Sequence, residues 1–188
     1  KVQLLPVSVT VNHAVEADYQ NNGFFHLGSM DWKPNQEAVD YLVKKIWSNP
    51  EVAKFPLKIA GSKSEHYRFL ATGSIEVVGW VENSTEFMSK SGILVTPIRS
   101  GSGIRIKLLE AMALGIPCIT TKLGAAGIDL SRSGIQIADT QAAFVKIISE
   151  FHGNEGLRKE VGTKSRDYIS KVHSFETCIA LMKDTFGG

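Results

Sequence analysis

The run Arg99-Ser100-Gly101-Ser102-Gly103-Ile104-Arg105-Ile106-Lys107-Leu108-Leu109-Glu110 brings glycines, cations and a carboxylate into one short stretch. Gly101 and Gly103 let the backbone approach a ligand closely and turn its N–H groups outward. Helical periodicity over residues 104–114 follows at once, so a helix start with free N–H groups and a favourable dipole stands beside the turn. Arg105 and Lys107 put positive charge within the expected first turn, where acidic residues are the norm. A bound phosphate accounts for that inversion. Lys107 and Glu110 lie three apart on one helical face, with Gly103 four before Lys107 on the same stripe. Lys107 is placed to reach a diphosphate, and Glu110 to accept hydrogen bonds from vicinal hydroxyls such as those of a ribose. The same spacing equally suits a surface ion pair worth about 0.2–0.5 kcal/mol. The Gly-x-Gly also lacks the third glycine of a dinucleotide fingerprint.

The flanking elements decide what this stretch is mounted on. Apolar runs of strand length at residues 24–28, 57–61, 75–79, 93–97 and 116–121, with a weaker one at 134–138, alternate with helical patterns. A helix opens at Pro34-Asn35 and stops at Asn49-Pro50; shorter or longer ones follow over 82–90, 104–114, 140–151, 155–172 and 174–186. Residues 2–7 also read as a strand. Alternation with short connections predicts an α/β protein: a doubly wound, Rossmann-like parallel sheet with helices on both faces. Ligands of such sheets bind at the carboxyl ends of the strands. That rule selects the segments after Gly28, Gly61, Gly79, Pro97 and Thr121.

Composition bounds the function. The chain has 188 residues, 43% hydrophobic and 21% charged, as in an ordinary globular domain. A net charge of +2 gives no case for nucleic acid as partner. No apolar run approaches the roughly 20 residues that span a bilayer. The chain begins at Lys1 rather than Met, which suggests a piece of a longer or processed protein. Cys118 and Cys178 sit in apolar periodic segments without metal-ligand spacing and read as small buried hydrophobes. The sequence contains no Asp-x-Asp, and neither a metal nor another cofactor is needed to explain the phosphate site.

The stretch Gly101 to Pro117, followed by Thr120-Thr121 and Gly124-Ala125-Ala126-Gly127, resembles the donor-binding signature of group 1 (family 4) retaining glycosyltransferases of two-domain GT-B fold. Gly28 with Trp32, Pro34 and Asn35, then Gly61, Gly79-Trp80-Val81, Pro97 and His173-Ser174-Phe175 match in order, over roughly residues 20 to 186. The resemblance implies the carboxyl-terminal, nucleotide-sugar-binding half. Residues 1–20 would enter from a missing amino-terminal acceptor domain, residues 21–172 form the donor-binding domain, and residues 173–188 carry a helix packing back toward the missing half. The expected reaction is glycosyl transfer from a nucleotide diphosphate sugar, a UDP- or GDP-sugar, to a hydroxyl with retention, and the isolated half is expected to be inactive. Such transferases often make surface polysaccharide or glycolipid, which implies a cytoplasmic setting with peripheral membrane association open.

Residue by residue, Arg105, Lys107 and Glu110 become the expected catalytic group, with Glu110 at the family's ribose-binding glutamate. Gly101, Ser102, Gly103, Gly28, Lys33, Trp80 and Val81 become expected donor contacts. Ser102 stands where the family's first glutamate belongs, so the grip on the transferred sugar is unaccounted for. Only Lys33 represents the Arg and Lys pair that the family carries after the first strand, and Arg105 with Lys107 are the expected replacements. Two other readings remain beside this one: a non-catalytic nucleotide or phosphate module, and a degenerate transferase half serving as a scaffold. His26 is expected to be a satisfied core histidine, Met112 core filler, and Trp32 mainly packing. Lys44-Lys45 and Arg158-Lys159 are expected on solvated helix faces.

Overall fold

The computed structural model describes residues 6–11 and 15–186. Six strands, β1 (Phe24–Leu27), β2 (Leu57–Ala60), β3 (Ile75–Gly79), β4 (Ile93–Thr96), β5 (Cys118–Thr120) and β6 (Gln136–Ile137), form one sheet. Every pairing is parallel, in the order β3-β2-β1-β4-β5-β6. Side chains alternate across the sheet. Phe25 of β1 and Leu94 of β4 enter one core with Leu109, Met112 and Ile169. Phe24, Ile93 and Val95 enter the opposite core with Leu42, Phe144 and Ile148. All four residues of β1 and of β4 are buried, as a strand covered on both faces requires. The doubly wound architecture expected from the alternation is therefore present.

The covering helices are α1 (Lys33–Tyr41), α2 (Ser84–Ser89), α3 (Ile106–Ala113), α4 (Gln141–Gly153), α5 (Glu155–Val172) and α6 (Phe175–Phe186). A wide π turn, Leu42–Ile46, prolongs α1, and a 3-10 segment, Ser64–Leu70, follows β2. Local chemistry sets most starts. Asn83, Thr140 and Asn154 accept hydrogen bonds from the N–H groups of Glu86, Ala143 and Leu157, and Ser174 accepts from Thr177. Thr140→Ala is expected to cost about 1 kcal/mol. It should lower the urea midpoint at unchanged slope; an unaltered midpoint would deny the cap its role.

Several elements differ from expectation for identifiable reasons. The helix expected from residue 104 begins at Ile106, because Gly103 has φ +89° and Arg105 is extended (φ −88°, ψ 92°). Arg105 is thus the residue before α3, not part of its first turn. The strand expected over 116–121 shortens to β5, since Ile116 donates its N–H to Ala111 and Pro117 has none. β6 is shorter than expected because Gly134 turns at φ +72°. Of the strand expected over 2–7, residues 2–5 lie outside the described residues, and Pro6 and Val7 are not in a strand. Val9 instead makes a single parallel bridge to Ser174, and its N–H donates to His173 O at 2.8 Å. The segment around Val9 is thereby tied to the α5–α6 junction.

Arg158 corrects another expectation: it is only 4% exposed and does not lie on a solvated face. Its guanidinium donates to Phe151 O at 2.5 Å, His152 O at 3.1 Å and Tyr19 O at 2.9 Å. It gives donors to carbonyls at the end of α4, where Phe151 O otherwise accepts only the long 3.5 Å bond from the Asn154 N–H. Both cysteines are free and buried, and burial pushes the Cys118 thiol up. Met112 is core filler as expected. α5 lies directly on the end of α3: a Cβ on Gly162 would fall on Gly115 O, the same carbonyl that accepts the Tyr19 hydroxyl at 3.0 Å.

Candidate active site

The strand order reverses direction between β1 and β4. These two pair only at Phe24 with Ile93 and Phe25 with Leu94, whereas β1 pairs β2 along four positions. Beyond them opens a crevice of about 670 Å³, of ordinary size for a ligand pocket. It lies at the carboxyl ends of the strands, where the sheet rule places ligands.

Its floor is built from the strand-end glycines. Gly28 donates to Ala60 O at 3.1 Å and Gly61 to Gly79 O at 2.9 Å, extending the sheet's hydrogen bonding past the strands. The two backbones touch so closely that a Cβ on Gly61 would overlap Gly28 O. Asn35, in the first turn of α1, donates to Ser29 O at 2.9 Å, and Ser62 Oγ donates to Ser29 Oγ at 2.8 Å. Ser29, Ser62, Ser84 and Thr96 line the crevice and were not singled out in the sequence. The one signal that pointed to the first two is the repeated Gly-Ser at the ends of β1 and β2.

The wall opposite is the loop before α3. Gly101 and Gly103 take φ +84° and +89°, conformations that glycine adopts without strain. Among the described residues, no protein acceptor takes the amide N–H of any residue from Ser100 to Lys107. Arg105 lies against this loop, donating to Ser102 O at 2.8 Å, Gly103 O at 3.0 Å and Ser100 O at 3.4 Å. Its guanidinium stacks 4.8 Å from the Trp32 ring. Burial lowers its pKa from the ordinary value, though an arginine stays charged. Lys107 bridges Glu110 at 2.7 Å and Ser84 at 3.1 Å. Both charged side chains remain over a third exposed, 44% and 36%, so the pair itself adds little stability.

The expected site residues thus divide. Gly28, Trp80, Val81, Ser102, Arg105 and Lys107 line the one crevice. Gly101 and Gly103 belong to the same loop but do not line it. Glu110 faces a neighbouring hollow of about 370 Å³ beside Ser8, Thr10 and Thr85, and Ile106 borders both spaces. Lys33 stands off the lining, 81% exposed and 4.0 Å from Glu37. Trp80 is 64% exposed on the crevice rim, while Trp32 lies beneath Arg105 and also reaches the lining. No group of His, Cys, Asp and Glu suited to a metal ion stands among the described residues.

His26, in β1, is fully buried and only half satisfied. One ring nitrogen lies 3.2 Å from Val95 O, and Nε2 has no partner. Desolvation outweighs that hydrogen bond and pushes the imidazole down to about 4. The ring is therefore neutral near pH 7.

A doubly wound sheet with a glycine-floored crevice at its switch point is the architecture of nucleotide-binding α/β proteins. Residues 21–154 match the family model described as glycosyl transferases group 1, and the chain belongs to that family. A search of curated proteins found no match. Among solved structures, WaaG, described as a glycosyltransferase involved in lipopolysaccharide biosynthesis, is 19% identical at TM-score 0.67 over 88% of this chain and 47% of its own. Sucrose-phosphate synthase from Thermosynechococcus elongatus is 14% identical at TM-score 0.76, covering 98% of this chain and 52% of that one. Anabaena Alr3699/HepE, described in complex with UDP and glucose, is 13% identical at TM-score 0.69 over 89% and 48%. These likenesses establish the fold. The chain spans about half the length of these proteins.

Proposed function

We propose that the chain is the donor-binding half of a retaining glycosyltransferase, which moves a sugar from a nucleotide diphosphate sugar to an acceptor hydroxyl. The observation that carries this reading is the loop from Ser100 to Lys107, whose amide groups have no protein acceptor at the edge of the switch-point crevice. An anionic diphosphate seated there would take those N–H groups, the dipole of α3 and the Lys107 ammonium. As the glycosidic bond breaks, negative charge grows on the leaving diphosphate, and the same fixed donors stabilise it with little reorganisation. Glu110, one turn along, would receive ribose hydroxyls once Lys107 turns from it to the phosphate. Trp80 and Val81 line the crevice beside the end of β3, and in this reading they would contact the base. UDP is the first nucleotide to test, with GDP beside it. The acceptor half belongs to the rest of the longer protein this reading implies, and so does any peripheral attachment to a membrane.

The test is titration of the wild type, Lys107→Ala and Glu110→Ala with UDP-, GDP- and ADP-sugars, followed calorimetrically and by thermal midpoint. A charge-assisted contact is worth about 1.5–3 kcal/mol, so either variant is expected to weaken the preferred donor at least tenfold with the fold intact. Unchanged affinity in both variants would sink the assignment. No shift of the wild-type midpoint with any donor would favour the scaffold reading, because a ligand present above its dissociation constant must raise the midpoint.

A further inference from the structure

Arg105 has the charge expected of a phosphate ligand, yet three of its five N–H donors are turned onto its own loop. It reaches three carbonyls of the loop, those of Ser100, Ser102 and Gly103, and its charge lies over the Trp32 ring. Its Nε is buried without a partner, so the group is held where it is at some cost in solvation. Gly101 lies against the stacked pair: a Cβ there would meet Trp32 Cζ2 at 3.1 Å and Arg105 Nη2 at 3.6 Å.

Peptide geometry gives this arrangement a consequence. In a trans peptide the C=O and the following N–H point in opposite directions. Drawing the carbonyls of Ser100, Ser102 and Gly103 onto the guanidinium therefore turns the N–H groups of Gly101, Gly103 and Ile104 away from it. Those three amides are among the ones with no protein acceptor. Released, the same carbonyls would be free to turn toward the crevice and repel an anion. N–H groups left free along one loop in this way can serve an anion.

We propose that Arg105 is a positioning residue: resting over Trp32, it fixes the loop so that the amides of Gly101, Gly103 and Ile104 stay free for the phosphate, which Arg105 itself does not touch. The proposal rests on the crevice being a diphosphate site. Lysine cannot substitute, since a single ammonium neither reproduces the guanidinium's spread of donors to three carbonyls nor stacks on indole in the same way. That asymmetry separates positioning from simple charge.

The experiment uses the full chain with Arg105→Lys, Arg105→Ala, Trp32→Ala and the double variant Trp32→Ala/Arg105→Ala, and UDP, GDP and uridine as probes. Calorimetry is expected to show UDP weakened about tenfold in Arg105→Lys as in Arg105→Ala, with uridine within about twofold of wild type. Trp32→Ala should lose affinity in the same direction, and the double variant should be no weaker than Arg105→Ala, because both act through one loop. Backbone order parameters of Gly101 and Gly103 should fall in the unliganded variants, a readout independent of any ligand. Wild-type affinity in Arg105→Lys beside a loss in Arg105→Ala would make Arg105 a direct charge ligand and overturn the proposal. Unchanged order parameters in Arg105→Ala would overturn it too. Should the wild type bind neither UDP nor GDP, the diphosphate reading fails, and with it the proposal's phosphate role. The order parameters then still tell whether Arg105 holds the loop.

Discussion

Gly61→Ala is expected to destabilise the protein by about 2–4 kcal/mol and to abolish binding in the crevice. Two separate causes act at this position. The backbone sits at φ +121°, a conformation that an L side chain rarely adopts. Independently, the added methyl would overlap the carbonyl oxygen of Gly28, with its carbonyl carbon 2.7 Å away. That obstacle is backbone, not the end of a flexible side chain, so relief requires the end of β1 to move from β2. The move would carry Gly28 and Ser29 with it and break the floor. Gly73 supplies the control, since it has φ +55° and no atom within 4 Å of a built Cβ. Gly73→Ala should cost only the conformational part, about 1 kcal/mol. For a chain of this size the Gly61 variant should lose roughly 5–15 °C in midpoint, and several times less should be lost at Gly73. Equal losses at the two sites would mean that the close approach of β1 and β2 is not what the glycine protects.

The second large effect is one of pH. His26 titrates near 4 when folded, against 6.5 as its ordinary value. Between those limits the unfolded chain binds the proton and the folded one does not, so stability rises with pH. The contribution is complete above about pH 6.5 and is lost progressively as the pH falls toward 4. Integration of that difference from pH 7.5 to pH 5 gives a loss of about 2 kcal/mol. Asp31, Glu86 and Asp129 have folded pKa values lowered by hydrogen bonds to Lys63, Lys90 and Ser131. Their contributions fade only when the pH passes down through the carboxylate range, below this window. Urea unfolding at pH 7.5, 6.5, 5.5 and 5.0 should therefore show the slope in wild type and a flatter profile in His26→Leu. A profile equally steep in the variant would assign the dependence to other groups.

Much of this architecture was legible because parallel strands buried on both faces read as unbroken apolar runs. Phe24 to Leu27 and Ile93 to Thr96 are such runs, and the glycines and proline that end them mark the ligand edge. Helix starts capped by Thr140, Asn154 and Ser174 were legible for a local reason: cap and donor N–H lie within one turn. What escaped depends on partners distant in sequence. Arg158 reads as a surface residue until Tyr19 and the end of α4 are in place around it. Arg105 reads as a helix residue until the loop's left-handed glycines bring three carbonyls to one side. Ser29 and Ser62 meet only because β1 and β2 are neighbours, and nothing in either segment alone announces the pair. The unpaired Nε2 of His26 likewise has no local signature.

The short pairing of β1 with β4 also bears on how the molecule holds together. Residues 24–79 supply one side of the sheet, β3-β2-β1, and residues 93–137 supply the other, β4-β5-β6. The two sides share only the Phe24–Ile93 and Phe25–Leu94 positions as ladder partners. The crevice lies along this seam, with Gly28 and Gly61 on one bank and Thr96, Ser102 and Lys107 on the other. Any molecule that fills it is a staple across two sub-sheets, and its binding energy becomes cohesion between them. Cutting the chain in the helical connection before β4 would leave two fragments, each with its own run of adjacent strands. The two cores they share would draw them together, and a molecule in the crevice would favour that reassembly.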